Sequence, residues 1–152
     1  IRGLLAAHPG LPVELQVNIS QGELKKLYAR AALFWHFCGL QQNNPALVEH
    51  FGMSTVEAMQ NQCLPIVFDG GGQREIVENG ISGYRFSSIR ELLDLTLKTI
   101  GDPSLRKRIG GSAQRRGGDF TRAIFSGKVR RLFKQLAEEY ASGAPLTAPS
   151  RR

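Results

Sequence analysis

Two short apolar runs, each leading through a loop into a helix-like segment, limit the folds open to this chain more than any other feature. ALFWHF (Ala32 to Phe37) is followed by the loop GLQQNNP, by EHFG and then by the helical composition of Met53 to Asn61. LPIVF (Leu64 to Phe68) is followed by Asp69-Gly70-Gly71-Gly72 and a short helical segment, Gln73 to Glu78. Apolar runs without polar alternation suit strands buried on both faces, as in parallel sheets whose crossovers are helices. The predicted class is α/β, a parallel sheet with helices on both faces.

Caps and periodicity supply the other elements. Ile1 to Ala7 reads as the end of a helix stopped by His8-Pro9-Gly10 and Pro12, and VELQVNI (Val13 to Ile19) alternates like a short strand. Ser20-Gln21-Gly22-Glu23 has the form of a capping box, with Leu24, Leu27, Tyr28 and Ala31 at helical spacing behind it. Asn79-Gly80 marks a turn, GYRF (Gly83 to Phe86) a last strand, and Ser88-Ile89-Arg90-Glu91 a second capping box ahead of a leucine-rich helix. Pro103 suits the first position of another helix, whose interior glycines Gly110, Gly111, Gly117 and Gly118 weaken it. Thr121 to Tyr140 has the pattern of a basic amphipathic helix. The 152 residues fit one domain over 1–141, and the Pro, Ser and Ala composition of 142–152 predicts a disordered tail.

Twenty Lys and Arg against thirteen Asp and Glu give +7, and the excess crowds the last third of the chain. Such a balance points to an anionic partner, whether nucleotide, nucleic acid or acidic membrane surface, or to a solvated helical face. No RNA or DNA motif and no aromatic interleaving accompanies the basic residues, so nucleic acid is set aside. Cys38 and Cys63 lack the spacing of a disulfide scaffold or metal site, as do His8, His36 and His50. Both cysteines are expected as buried free thiols, which favours a reducing cytoplasm, and no metal is expected. No apolar run approaches the roughly 20 residues that span a bilayer. The chain opens at Ile1 without the order of a signal peptide and is expected to be part of a longer protein.

The stretch EHFGMSTVEAMQ (Glu49 to Gln60) lies where a parallel sheet places ligands, in a loop leading from a strand into a helix. A helix starting near Met53 leaves backbone N–H groups unpaired at its positive end, a seat for phosphate. Gly52 has no side chain to obstruct that seat, and the Ser54 and Thr55 hydroxyls add donors. A carboxylate on the same phosphate would repel it, so Glu49 and Glu57 fit neutral groups on either side. Helical side chains slant toward the N-terminus, so Glu57 can take a ribose diol while Glu49 reaches the far end of the ligand. A ribose, a pyrophosphate and a second polyol together describe a nucleotide sugar. Taken singly, Glu57 is equally a first-turn acid favouring the helix dipole, Glu49 a loop carboxylate, and Gly70-Gly71-Gly72 either a tight turn or a point of close approach to donor or acceptor. His50 reads as structural.

Glu49-x7-Glu57 with Phe51-Gly52 and Glu57-Ala58-Met59, then Pro65, Gly71-Gly72, Glu75-Ile76-Val77, Asn79-Gly80 and Ser82-Gly83, resembles the donor-binding half of the GT-B retaining glycosyltransferases of family 4. The resemblance runs from about Leu15 to Phe133. It implies a Rossmann-like C-terminal domain facing a separate acceptor domain, absent from this chain, across a cleft. It implies a nucleoside diphosphate sugar as substrate and no cofactor. Glu49 becomes the catalytic candidate through contact with the donor hexose, not as a nucleophile, and Glu57 the ribose ligand. The amides following Phe51, at Gly52, Met53 and Ser54, would hold the phosphates, and Asn18 and Ile19 the nucleobase. The cationic pair that the family uses on the departing diphosphate would lie upstream of Ile1, so this chain alone is expected to be inactive.

Two departures stand out: Trp35-His36 and a longer loop replace the family's usual Pro-Ser before the first glutamate, and Gln60-Asn61-Gln62 replaces its Ala-x-Gly. The alternative to a transferase is a sugar-nucleotide-binding module without catalysis. The sequence also leaves an anionic membrane surface as a candidate partner of the basic helix.

Overall fold

The computed structural model describes residues 2–42 and 44–142. Its sheet has three parallel strands, β1 (Leu33–His36), β2 (Leu64–Phe68) and β3 (Tyr84–Phe86), in the order β1-β2-β3. Leu33 pairs with Leu64 and His36 with Val67, while Ile66 pairs with Tyr84 and Phe68 with Phe86. Around it lie α1 (Arg2–Ala7), α2 (Gln21–Arg30), α3 (Met53–Gln60), α4 (Gln73–Ile76), α5 (Ile89–Gly101), α6 (Pro103–Gly118) and α7 (Arg122–Ala141).

Strand side chains alternate between faces, and the two faces of β2 bury different helices. Leu64 and Ile66 pack with Phe86, Leu92 of α5 and Ile109 of α6. Val67 packs with Val56 and Met59 of α3, Ile76 of α4 and Ala113 of α6. The fold is the expected α/β arrangement, with helices on both faces. Met59 is fully buried, and a side chain of its size contributes about 1.5–3 kcal/mol by leaving water. Gly110 lets α6 lie against the turn after α3, since a Cβ there would stand 2.5 Å from the Gln62 carbonyl oxygen. Gly110 and Gly117, which lies against Gln60 and Met59, therefore serve packing, and α6 runs unbroken through Gly118.

The Ser20 capping box forms in full: Glu23 N–H donates to Ser20 Oγ at 3.2 Å and the Glu23 carboxylate accepts from Ser20 N–H at 2.8 Å. Those bonds from Ser20 hold the Glu23 carboxyl below the ordinary range. The second box is only half made. Ser88 accepts from Glu91 N–H, but the Glu91 carboxylate takes the N–H of Ser87 instead of Ser88. Pro103 opens α6, where Asp102 caps by accepting from Leu105 N–H.

Other expectations fail for stated reasons. Val13 to Ile19 forms no strand and is exposed except for half-buried Ile19, because alternation prescribes a face but supplies no neighbour for the backbone N–H and C=O groups. β1 is an edge of the sheet among the described residues, and Trp35 is 47% exposed instead of buried. Cys63 is buried, its thiol pushed up to about 12 by desolvation, whereas Cys38 is exposed. α7 contributes no fully buried residue: Val129 and Leu136 are half-buried, while Phe125 and Phe133 are exposed. Nearly all of the predicted tail, 143–152, lies outside the described residues. No helix among the described residues is long and apolar enough to cross a membrane.

Candidate functional site

α3 begins without a side-chain cap and with no acidic residue in its first turn. The first helical bond runs from Val56 N–H to Gly52 C=O at 3.1 Å, and the N–H groups of Met53, Ser54 and Thr55 find no acceptor among the described residues. Unpaired amides at a positive helix end attract anions. Met53 is exposed and Ser54 half-buried, so this end is open, but Thr55 is fully buried and its hydroxyl offers nothing to a ligand.

Gly52 has a structural need for glycine besides the clearance expected of it. Its backbone stands at φ 99° and ψ 50°, where L-residues are strained, and a Cβ would meet the Gln73 Nε2 at 2.8 Å. The position needs glycine because of the backbone and of Gln73, before any ligand is considered.

Glu49 is held from three sides. Its carbonyl accepts from Gly72 N–H at 2.8 Å, its Oε1 accepts from Phe51 N–H at 3.2 Å, and its Oε2 lies 3.4 Å from His36 Nε2. Close approach of the two loops explains the glycines after β2: a Cβ on Gly72 would stand 2.3 Å from the His50 carbonyl oxygen. The glycine run thus serves as a turn fitted to the backbone of Glu49 and His50. His50 itself is exposed.

Glu57, one turn into α3, is half-buried and joins none of the ion pairs among the described residues. It faces α2: burial first, and the Glu57 charge second, push the Tyr28 phenol above its ordinary pKa. Glu57 lines a narrow cavity of about 40 Å³ with Gln21, Lys25 and Tyr28. It also lines a larger cavity of about 650 Å³ on the α7 side, walled chiefly by Phe51, Met53, Val56, Phe120 and Phe125. Glu57, Gln60, Arg122 and Lys128 are among the polar members of an otherwise apolar wall. Asn18 and Ile19 lie just before the Ser20 cap but line neither cavity; Gln21 is the residue of that junction that reaches the Glu57 side.

Glu49 on the Gln73 side and Glu57 on the Tyr28 side therefore flank one uncapped helix start. A family model described as glycosyl transferases group 1 matches residues 5–116. The chain belongs to that family. Among solved structures, the group 1 glycosyl transferase chain is similar to sucrose-phosphate synthase from Thermosynechococcus elongatus, with a TM-score of 0.73 and 20% identity over 90% of this chain. The match covers 33% of that protein, so the chain spans about a third of its length. It places the fold as the Rossmann-like C-terminal half of a GT-B arrangement. No curated protein matches the chain at a significant level.

Sequence reading of this group 1 glycosyl transferase missed His36 and Gln73. His36 closes β1, and the carboxyl end of a parallel strand is where such sheets carry ligands; that position was the available signal. Gln73 had none, because its meeting with His36 depends on the fold.

Proposed function

We propose that this chain is the donor-binding domain of a retaining, family 4 hexosyltransferase that uses a nucleoside diphosphate sugar. The observation that carries the reading is the open start of α3, with free amides at Met53 and Ser54 between two carboxylates. The diphosphate sits on those amides and the helix dipole. Glu57 accepts hydrogen bonds from the ribose hydroxyls, the base lies toward the α2 junction at Asn18, Ile19 and Gln21, and Glu49 contacts the hexose. Catalysis then rests on orientation of the donor and electrostatic stabilisation of the leaving diphosphate, completed by an acceptor domain across the cleft. The protein works in the cytoplasm, and α7 brings it to an anionic membrane when the acceptor is a lipid.

Isothermal titration of the full-length enzyme with nucleoside diphosphates tests the reading. Glu57→Gln is expected to weaken binding by about 1.5–3 kcal/mol, the worth of hydrogen bonds to a charged group. Unchanged affinity would remove Glu57 as the ribose ligand.

A further inference from the structure

We propose that His36 is a positioning residue that fixes the Glu49 carboxylate toward the donor sugar, with Gln73 holding the imidazole. The inference rests on the reading of Glu49 given above. Gln73 Nε2 stands 3.3 Å from His36 Nδ1, and His36 Nε2 stands 3.4 Å from Glu49 Oε2. A carboxylate only accepts, so in the neutral ring Nε2, which faces Glu49, carries the proton and Nδ1 is left to accept from the Gln73 amide; the 3.4 Å approach of Nε2 to Oε2 is a polar contact longer than a formed hydrogen bond. The other carboxylate oxygen is engaged by Phe51 N–H at 3.2 Å. Both oxygens are thereby oriented, one by backbone and one by a side chain from a different element.

Two further observations separate this from incidental packing. The His36 side chain is only 13% exposed while Glu49 is 30% exposed, so the relay runs from the interior to an accessible carboxylate. Gln73 is fully buried, and its Oε1 has no hydrogen-bond partner among the described residues. A buried unpaired acceptor is costly, and an apolar residue would fill the space without that cost. The amide earns its place through its other end, which orients His36.

The test is a double-mutant cycle in the full-length enzyme, reading kcat, KM for the donor sugar and the affinity of the free nucleoside diphosphate. His36→Leu is expected to lower kcat/KM about tenfold, the order of one lost polar contact to a charged group. Affinity for the nucleoside diphosphate, which lacks the hexose, should stay within about twofold. His36→Gln, whose amide can donate from the position of Nε2, should restore most of the activity. In a Glu49→Gln background His36→Leu should cost little more, because the carboxylate it positions is gone. The proposal is overturned if His36→Leu costs the same factor in both backgrounds. It is also overturned if nucleotide affinity and thermal stability fall in step and His36→Gln restores neither. A Glu49→Gln enzyme of full activity would instead refute the hexose role of Glu49, and this proposal with it; a crippled Glu49→Gln beside an unimpaired His36→Leu refutes only the role of His36.

Discussion

Replacing Gly52 by alanine adds one methyl group where two independent features oppose it. At φ 99° an L-residue is strained, by roughly 1–2 kcal/mol for left-handed backbone. The new Cβ would also stand 2.8 Å from Gln73 Nε2. Gln73 is fully buried, so it can yield only by giving up its hydrogen bond to His36, worth about 0.5–1.5 kcal/mol. The sum is a loss of about 1.5–3.5 kcal/mol, readable as a lower urea midpoint at unchanged m-value. A Gln73→Ala background separates the parts. With the amide gone the clash disappears and the same substitution should cost only the backbone strain, about 1–2 kcal/mol. A penalty below about 0.5 kcal/mol, within the range of ordinary surface changes, would refute both terms. Equal penalties in the two backgrounds would refute the clash and leave Gln73 without a claim on this position.

Two further outcomes are expected. Gln62 occupies φ 62° after α3, the place where a glycine usually ends a helix, so Gln62→Gly should stabilise the chain by up to about 1 kcal/mol, less what its exposed bond to Gln114 supplies; a lower thermal midpoint would contradict this. α7 exposes Phe125, Leu132, Phe133 and Tyr140 along with its basic residues, so anionic vesicles should retain the full-length protein at low salt, with each basic residue near the surface worth about 1 kcal/mol, and charge reversal at Arg130 and Arg131 should release it. Equal retention on neutral vesicles, or none on either, would exclude the membrane role.

What the sequence revealed follows the range of the forces involved. The Ser20 cap and the Pro103 start depend on neighbours a few residues apart, and both appear as read, while the strand Leu64–Phe68 was legible from its unbroken apolar run. β1 has the same apolar composition as β2 yet lies at an edge, because composition cannot state what stands beside a strand. Val13 to Ile19 failed for the same reason. At the site, the uncapped start of α3 was legible from Gly52 and the helical run behind it. The hold on Glu49 was not: His36 and Gln73 are 37 residues apart, and only the parallel pairing of β1 with β2 brings the ends of those strands, and the loops that follow, side by side. Gly52 was marked for the clearance of a ligand; the further need for glycine set by Gln73, its steric neighbour, is visible only after folding.

The hydrogen bond from Gly72 to the Glu49 carbonyl, with the Phe51 amide on the carboxylate, fastens Glu49 from its C-terminal side and from the neighbouring loop. The chain between the end of β1 and Val48 is left out of that fastening. Phe37 and Leu40 pack on the core, but the exposed tip from Gln41 to Leu47, among its described residues, can change composition while the acid keeps its place. Under the proposed function, changes in that tip would reshape the sugar pocket ahead of Glu49 without moving the acid.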